Sequence, residues 1–458
     1  MTRGLRSRWA LACAVVAIAL GTSGEVRAQS ATSAVSEATT SSRARLDLLF
    51  ADVIREPANA DLTLQYARVA TEIGDYEAAI TAMERLQFLN PSLSQVSLEL
   101  GVLYYRIGSN GLARSYLTKA LKTPDLSPEN QALIQRYLLD IDKLTRQNRF
   151  SADIFAGVMH QSNANLGPGS SSISLPAGVV SLSSTAVKRS DQALATSGAA
   201  LYSYDLQDQD RTTIEVSGQL FATKHFRVRD FDLMYTEITA GPRTTFATYD
   251  ITGFNVHPYV IADFSLLGGS TLFHAFGTGI DAEKVLRPNL KLKGVFEFRD
   301  KRYGTGAGRV TASNLSGNEH NLALQLSYAI TPAQTVSVTG SFIDVAARSQ
   351  ASANRQLGLS GTYQIAYAPP FDIPSGHGAW QTAVSAGRSI ANYNAPDPAI
   401  NASQARFDHV WRLAFTEVIP VAEAVSLSFQ LQRDIVSSTI PLFAYTNTTV
   451  MLGAQVRF

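Results

Sequence analysis

Residues 446–458 alternate with few exceptions: Thr448, Val450, Leu452, Ala454, Val456 and Phe458 share one face, and Asn447, Thr449, Met451, Gly453, Gln455 and Arg457 share the other. A period of two belongs to a strand, here apolar on one side and polar on the other. The same alternation sets Leu322, Leu324, Leu326, Tyr328 and Ile330 against Ala323, Gln325, Ser327 and Ala329, and Val425, Leu427, Phe429 and Leu431 against Ser426, Ser428, Gln430 and Gln432. Leu357, Leu359, Tyr363, Ile365 and Tyr367 likewise oppose Ser360, Thr362 and Gln364. Counting back to about residue 150, fourteen such segments begin near 151, 193, 212, 232, 253, 271, 290, 318, 334, 354, 379, 406, 423 and 446. An even number of lipid-length strands predicts an antiparallel transmembrane β-barrel, apolar face toward lipid and polar face toward a lumen. The pattern is weakest over residues 232–290, which leaves the count open to within two. A soluble β-sandwich does not readily hold so many strands of this length in series.

Connector lengths test the barrel reading independently, because such barrels join strands by short turns at the periplasmic end and by longer loops outside. Residues 161–192, 301–317, 391–405 and 434–445 are expected as loops, and 331–333 and 420–422 as turns. Two connectors break the rule: 265–270 is short where a loop belongs, and the Pro-rich 369–378 is long where a turn belongs.

Before residue 150 the period changes. Tyr66, Ala67, Ala70, Gly74, Ala79 and Met83 are followed 34 positions later by Leu100, Gly101, Tyr104, Gly108, Ala113 and Leu117. That is the tetratricopeptide spacing, in which each unit is a helical hairpin. Small residues at 67, 79, 101 and 113 let paired helices approach, Gly74 and Gly108 serve the turns, and Asn90-Pro91 and Thr123-Pro124 end the second helices. A helix over about 128–147 and a degenerate one over 46–54 complete roughly the three units that such stacks need. A generic helical bundle is the alternative. The expected fold is therefore α+β multidomain: an N-terminal α-helical tetratricopeptide solenoid, residues 43–149, followed by a C-terminal antiparallel transmembrane β-barrel of about 14 strands, residues 150–458.

The first residues point across an inner membrane. Arg3, Arg6 and Arg8 precede an apolar run over 9–20, and Val26-Arg27-Ala28 supplies a cleavage site, so residues 1–28 read as a signal peptide cut between Ala28 and Gln29. Residues 29–42, rich in Ser, Thr and Ala, are expected to be flexible. The only cysteine is Cys13, inside the signal, which leaves the mature chain without disulfide, thiol nucleophile or cysteine-bound metal. Past the signal no uncharged apolar stretch approaches the ~20 residues of a spanning helix, so any crossing is by strands.

Charge excludes one class of partner. The chain carries 39 Lys and Arg against 38 Asp and Glu; residues 43–149 hold 13 against 13, and residues 150–458 hold 22 against 23. Nucleic acid needs a basic stripe, and none is present. Catalytic motifs are also missing: His160, His225, His257, His274, His320, His377 and His409 stand singly, with no HExxH, GxSxG, P-loop or helix-opening GxGxxG. A Ser, His and Asp set assembled from separate strands stays open, but lone histidines in a polar lumen read as wall residues. No catalytic residue, metal or cofactor is expected. The basic positions Arg287, Lys291, Lys293, Arg299, Lys301, Arg302 and Arg309 fit the rim or loops better than the lumen. Tyr202, Tyr204, Tyr328, Tyr363, Tyr367 and Trp411 read as interface girdles, and the Gly and Ser over 157–185 as a mobile loop or an inward constriction.

The barrel opens with Gly157-Val158-Met159-His160-Gln161-Ser162-Asn163-Ala164-Asn165. Signal, short repeat stack, barrel and this Ser-Asn-x-Asn opening together resemble the surface lipoprotein assembly modifier family. Gly157, Ser162, Asn163 and Asn165 match its opening motif, and Gln161 stands where Asp is usual. The terminal Phe458 resembles the signal read by the barrel assembly machinery. The resemblance implies a Gram-negative outer-membrane translocon in contact with outer-membrane lipid, whose periplasmic repeat domain holds a client protein or its chaperone on a concave face. The client, a surface lipoprotein or secreted protein, would reach the surface by the lumen or by a lateral seam between the first and last strands. A tetratricopeptide-containing exopolysaccharide export porin is the alternative, and a diffusion porin a weaker one.

Overall fold

A computed structural model describes residues 35–458, apart from 58, 92, 123–125, 176–177, 306–308 and 371–377. The expected cleavage site at Ala28 and Gln29, His377 and the Thr123-Pro124 helix stop lie outside the described residues. The chain divides into a helical unit ending at Arg146 and a barrel unit beginning at Gln147.

The helical unit contains α1 (Val35–Arg55), α2 (Ala60–Glu72), α3 (Tyr76–Leu89), α4 (Ser94–Arg106), α5 (Asn110–Leu121) and α6 (Pro128–Thr145). Helix α1 begins inside the segment expected to be flexible, so residues 35–42 are helical. Starts and stops follow local chemistry. The side chains of Asn59, Asp75 and Ser127 cap α2, α3 and α6 by accepting from the amides of Leu62, Ala78 and Asn130. Gly74 and Gly108 turn the chain at φ 83° and 79°, which side chains disfavour. Small residues then let the helices close: Ala70, Ala79 and Ala113 are fully buried, and a Cβ on Gly101 would lie 2.6 Å from Leu117 Cγ.

Fourteen strands form one closed antiparallel barrel: β1 (Asn148–Gln161), β4 (Asp191–Asp205), β5 (Thr213–His225), β6 (Leu233–Phe246), β7 (Ile251–Leu267), β8 (Ser270–Arg287), β9 (Leu290–Tyr303), β10 (Gly317–Thr331), β11 (Gln334–Ala347), β12 (Asn354–Tyr367), β13 (Trp380–Asp397), β14 (Asn401–Pro420), β15 (Val425–Ser438) and β16 (Tyr445–Arg457). A small hairpin, β2 (Ser172–Leu175) with β3 (Gly178–Ser181), lies between β1 and β4. Both ends of the barrel sequence, Asn148 and Arg457, fall at one rim, the terminal end; the opposite rim is the far end. Far-end connectors include 162–190 and 304–316, whereas 288–289 and 332–333 at the terminal end are tight turns. The two expected rule-breakers are real: Gly268 and Gly269 alone join β7 to β8, both at positive φ, and 368–379 joins β12 to β13. The expected loop over 391–405 is corrected. β13 and β14 continue through it and leave only residues 398–400 between them, with the register shifting after Asn392.

Outward positions follow the apolar alternation. Leu324, Leu359, Phe276 and Leu452 are 53%, 62%, 67% and 54% exposed on the outer wall, as a lipid-facing surface requires. The aromatic positions Tyr202, Tyr328, Tyr363 and Trp411 share that face. Of the histidines, His160, His274, His320 and His409 turn outward with them by strand parity, and His225 and His257 are buried on the inner wall.

Inward positions gather arginines and carboxylates into hydrogen-bonded clusters. Arg299 of β9 donates to Asp263 at 2.9 Å, Glu297 at 2.7 Å and Glu237 at 3.0 Å. Tyr235 and Tyr259 donate to Glu237 and Glu297, both at 2.9 Å, and Asn321 to Glu297 at 3.2 Å. Gly279 makes this reach possible, since the Tyr259 ring lies across it and a Cβ there would sit 2.5 Å from the ring. A neighbouring set joins Arg243 to Glu215 and Asp281, with His257 Nδ1 3.0 Å from Asp281. On the opposite strands Arg412 meets Asp434 at 2.7 Å. The rim placement favoured for the basic stretch is therefore corrected in part: Arg299 and Lys301 bind carboxylates inside, the latter reaching Glu319 at 2.7 Å, while Arg302 pairs with Asp300 on the outer side. Strand parity decides between the two fates.

Two outcomes follow. Gly101→Val should overpack the α4–α5 contact and cost about 1–3 kcal/mol, seen as a lower melting temperature of the helical circular dichroism signal with the barrel's heat-modifiable gel mobility unchanged. Arg299→Met leaves Glu237, Asp263 and Glu297 facing one another without a cation; the loss should approach the ~3–5 kcal/mol of a broken buried ion pair. The temperature at which the folded gel band converts should fall clearly, whereas Arg302→Met, at an exposed pair, should barely move it.

Candidate functional site: the closing seam and the loop fastened across it

The barrel closes where β1 meets β16, over Asp153↔Arg457 to Gln161↔Thr449. On its other edge β1 pairs with β4 along its full length, Asn148↔Tyr204 to Gln161↔Asp191. At the middle of the seam Gly157 faces Gly453. A Cβ on Gly157 would lie 2.4 Å from the Leu452 carbonyl oxygen, and one on Gly453 2.3 Å from that of Ala156. Each would also come within 2.8 Å of the Phe155 ring. That ring covers the glycines from the lumen side, packed with Met159, Ala193, Ala195 and Met451. The inner face of the seam is thus an apolar strip, apart from the charged clusters around Arg299 and Arg243. At its terminal end Gln455 donates to Asp153 at 2.6 Å, and Phe458 is paired with Ala152 through both backbone groups, at 2.8 and 3.2 Å. The Phe458 side chain is exposed.

The opening motif finishes the seam at the far end. Ser162 exchanges bonds with the Thr448 backbone, its amide donating at 2.9 Å and its Oγ accepting at 2.8 Å. Asn163, 1% exposed, is saturated: its amide donates to Asn447 Oδ1 at 3.0 Å, its Nδ2 to the carbonyls of Gly167 and Thr446, and its Oδ1 accepts from Gly167 N at 2.9 Å. Asn165 does the same for the returning chain, donating to the carbonyls of Thr185 and Val187 and accepting from Arg189 N at 2.8 Å. Both side chains need an acceptor and donors on one short stem, which only an amide of this length provides. Gly157, the remaining motif residue, lies earlier on β1 at mid-seam. Gln161 places Oε1 3.1 Å from His225 Nε2, a neutral contact where the resemblance has an acid.

The 162–190 loop is not the mobile segment expected. Ile173 of its hairpin is buried with Ile440, Leu442 and Phe443, which belong to the connector between β15 and β16. Phe443 in turn stacks on Arg406, whose guanidinium carbon is 3.7 Å from the ring centre. The loop after the first strand is therefore anchored by hydrogen bonds to the last strand and by apolar packing to the connector before it. Sequence reading missed Phe155, Asn447 and Gly453 as parts of this unit. The glycine gap on the inward face of β16 was the available signal.

In the helical unit the repeat positions converge. Tyr66, Ala67, Ala79, Leu100, Tyr104 and Ala113 are buried in one core with Met83 and Leu117, while Gly74 and Gly108 sit in the interhelical turns. Gln87 donates to the Pro91 carbonyl at 3.0 Å and accepts from Ser97 at 2.6 Å, tying one hairpin to the next. Tyr104 stacks on Tyr116 and donates to Glu84 at 2.6 Å; burial, then that bond, push its hydroxyl up to about 12. The outer surface keeps large apolar side chains in solvent, with Phe88 85%, Leu48 71% and Leu139 60% exposed.

No curated protein matches the chain. Among solved structures, the type III secretion chaperone SycD of Yersinia enterocolitica, in complex with a peptide of the translocator YopD, is 14% identical over 24% of this chain and 86% of that one, with a TM-score of 0.22. The tetratricopeptide domain of P58(IPK) is 22% identical over 24% of this chain and 31% of that one, TM-score 0.22. A bacterial polysaccharide outer membrane secretin is 12% identical over 68% of this chain and 99% of that one, TM-score 0.32. At the sequence level, residues 151–367 match the family model described as surface lipoprotein assembly modifier. That match begins within β1 and takes in the Ser162-Asn163-Ala164-Asn165 fastening, so the sequence similarity to the surface lipoprotein assembly modifiers includes the first strand of the seam and its motif.

Proposed function

We propose that the protein delivers a client, a surface lipoprotein or secreted protein, across the outer membrane, with the helical unit in the periplasm binding the client or its chaperone and the barrel conducting or releasing it. The observation that carries this reading is the family match over residues 151–367, which includes the seam strand β1 and its motif. Three features support it. The exposed Phe88, Leu48 and Leu139 give the helical unit apolar surface of the kind that holds unfolded chains. The lumen wall holds Arg299 and Arg243 in clusters with carboxylates, so these guanidinium groups are not free to trap an acidic segment of the client. The strip around Phe155 offers the seam an apolar inner face on which an extended segment could rest while strands β1 and β16 part. No reaction step is assigned, and client folding outside would supply direction.

The test is the surface proteome, measured by protease shaving and mass spectrometry with and without the gene. Loss of one or a few proteins from the surface, with periplasmic retention, is the expected result; unchanged surface proteins with loss of extracellular polysaccharide would replace this reading with glycan export. A second experiment locates the path. Ala156 and Ala454 are register partners across the seam, and the only native cysteine is Cys13. In an Ala156→Cys, Ala454→Cys variant, oxidation should abolish client display and reduction should restore it. Undiminished display by the oxidised barrel would assign the path to the lumen.

A further inference from the structure

The outer face of β13–β15 carries cations within its apolar alternation. Strand parity puts Arg388, His409, Trp411 and Arg433 on the same side as Val384, Leu413 and Leu431, which are 48%, 46% and 39% exposed. Arg388 stands across from Trp411, and Arg433 across from Leu413, the next outward residue of that strand. Arg388 Nη2 donates to His409 Nδ1 at 3.2 Å, and its guanidinium carbon lies 5.4 Å from the Trp411 ring centre. Arg433 Nη1 donates to Thr448 Oγ1 at 3.2 Å. None of these partners is an acid.

Other outward cations toward the far end are neutralised within the protein. Lys224 pairs with Asp232 at 2.7 Å, Arg302 with Asp300 at 2.7 Å and Arg355 with Asp344 at 3.1 Å. Among the described residues, Arg388 and Arg433 form no such pair. A guanidinium facing lipid without an internal counter-charge is costly unless an anion of the bilayer meets it. The guanidinium fork suits phosphate oxygens, and a Trp beside it belongs at headgroup level.

We propose that Arg388, Arg433 and Trp411 form a binding site for a phosphate group of lipopolysaccharide in the outer leaflet. His409 holds the Arg388 fork in position, and Trp411 seats the lipid's boundary between headgroup and chain. This assignment rests on the reading above in which the far end is external.

The experiment is native mass spectrometry of the full-length protein extracted from outer membranes, with heat-modifiable mobility confirming the folded barrel in each variant. The wild type should retain lipopolysaccharide, and Arg388→Ala with Arg433→Ala should retain at least about tenfold less, the worth of one lost charge-assisted bond. Arg355→Ala, at a pair neutralised internally, should retain as much as the wild type. Equal retention by the double variant, or none by the wild type, overturns the site. Retention of phosphatidylglycerol in place of lipopolysaccharide, lost in the same double variant, also overturns it and reverses the barrel's orientation. Client display in the same cells reports on translocation separately, so the two readings fail independently.

Discussion

A sheet in a membrane has no water to accept its edge, so every strand must give its backbone N–H and C=O groups to a neighbour. For this barrel the requirement converges on one place, the meeting of β1 with β16, because the thirteen other junctions join consecutive strands of the barrel. The seam is made from residues with little side chain at its centre, Gly157 and Gly453, and is fastened at both margins by backbone pairing of Phe458 and by the amides of Asn163 and Asn447. Its middle is thin and its margins are tied. Closure of the barrel thus depends on this one pair of strands.

The inner wall obeys a different rule. Burying an arginine is unfavourable unless carboxylates surround it, and the carboxylates in turn need the arginine. Arg299 draws acids from β6, β7 and its own strand, Arg243 from β5 and β8, and Arg412 from β15, so the networks bind the wall laterally as well as setting its potential. The outer wall cannot use this solution freely, since acids facing lipid are themselves costly. Where it does, as at Arg355 with Asp344, the pair sits at a strand end.

Strand alternation was legible almost everywhere because the period of two is a property of each segment alone. All fourteen barrel strands begin within a few residues of where the pattern places them, Asn401 of β14 being the largest departure. That departure has a cause: residues 391–405 include Asn, Pro and Asp, which read as loop, yet the strands carry them through an irregular register near Pro396. The 34-residue repeat was legible for the same local reason, and its positions share one core. Partner choice was not legible. Nothing in the sequence near Arg299 says that Glu237 will reach it, 62 positions away, and a Gly- and Ser-rich loop looks mobile until Ile173 is seen beside Ile440. The Ser-Asn-x-Asn motif was visible as a motif, but its role as a fastening across the seam required the last strand.

The fastening also sets an order of events. Ser162 and Thr448 are 286 positions apart, and Asp153 and Gln455 302. Until β16 has been synthesised, the first strand has no partner on that edge and the loop after it has nowhere to anchor. Contacts this distant in sequence form slowly, because the loop they close is long. An incomplete chain would therefore display an open β1 edge throughout its journey, the very surface that chaperones and other strands recognise. Pairing with β16 removes this hazard, which makes closure a checkpoint on the completeness of the barrel.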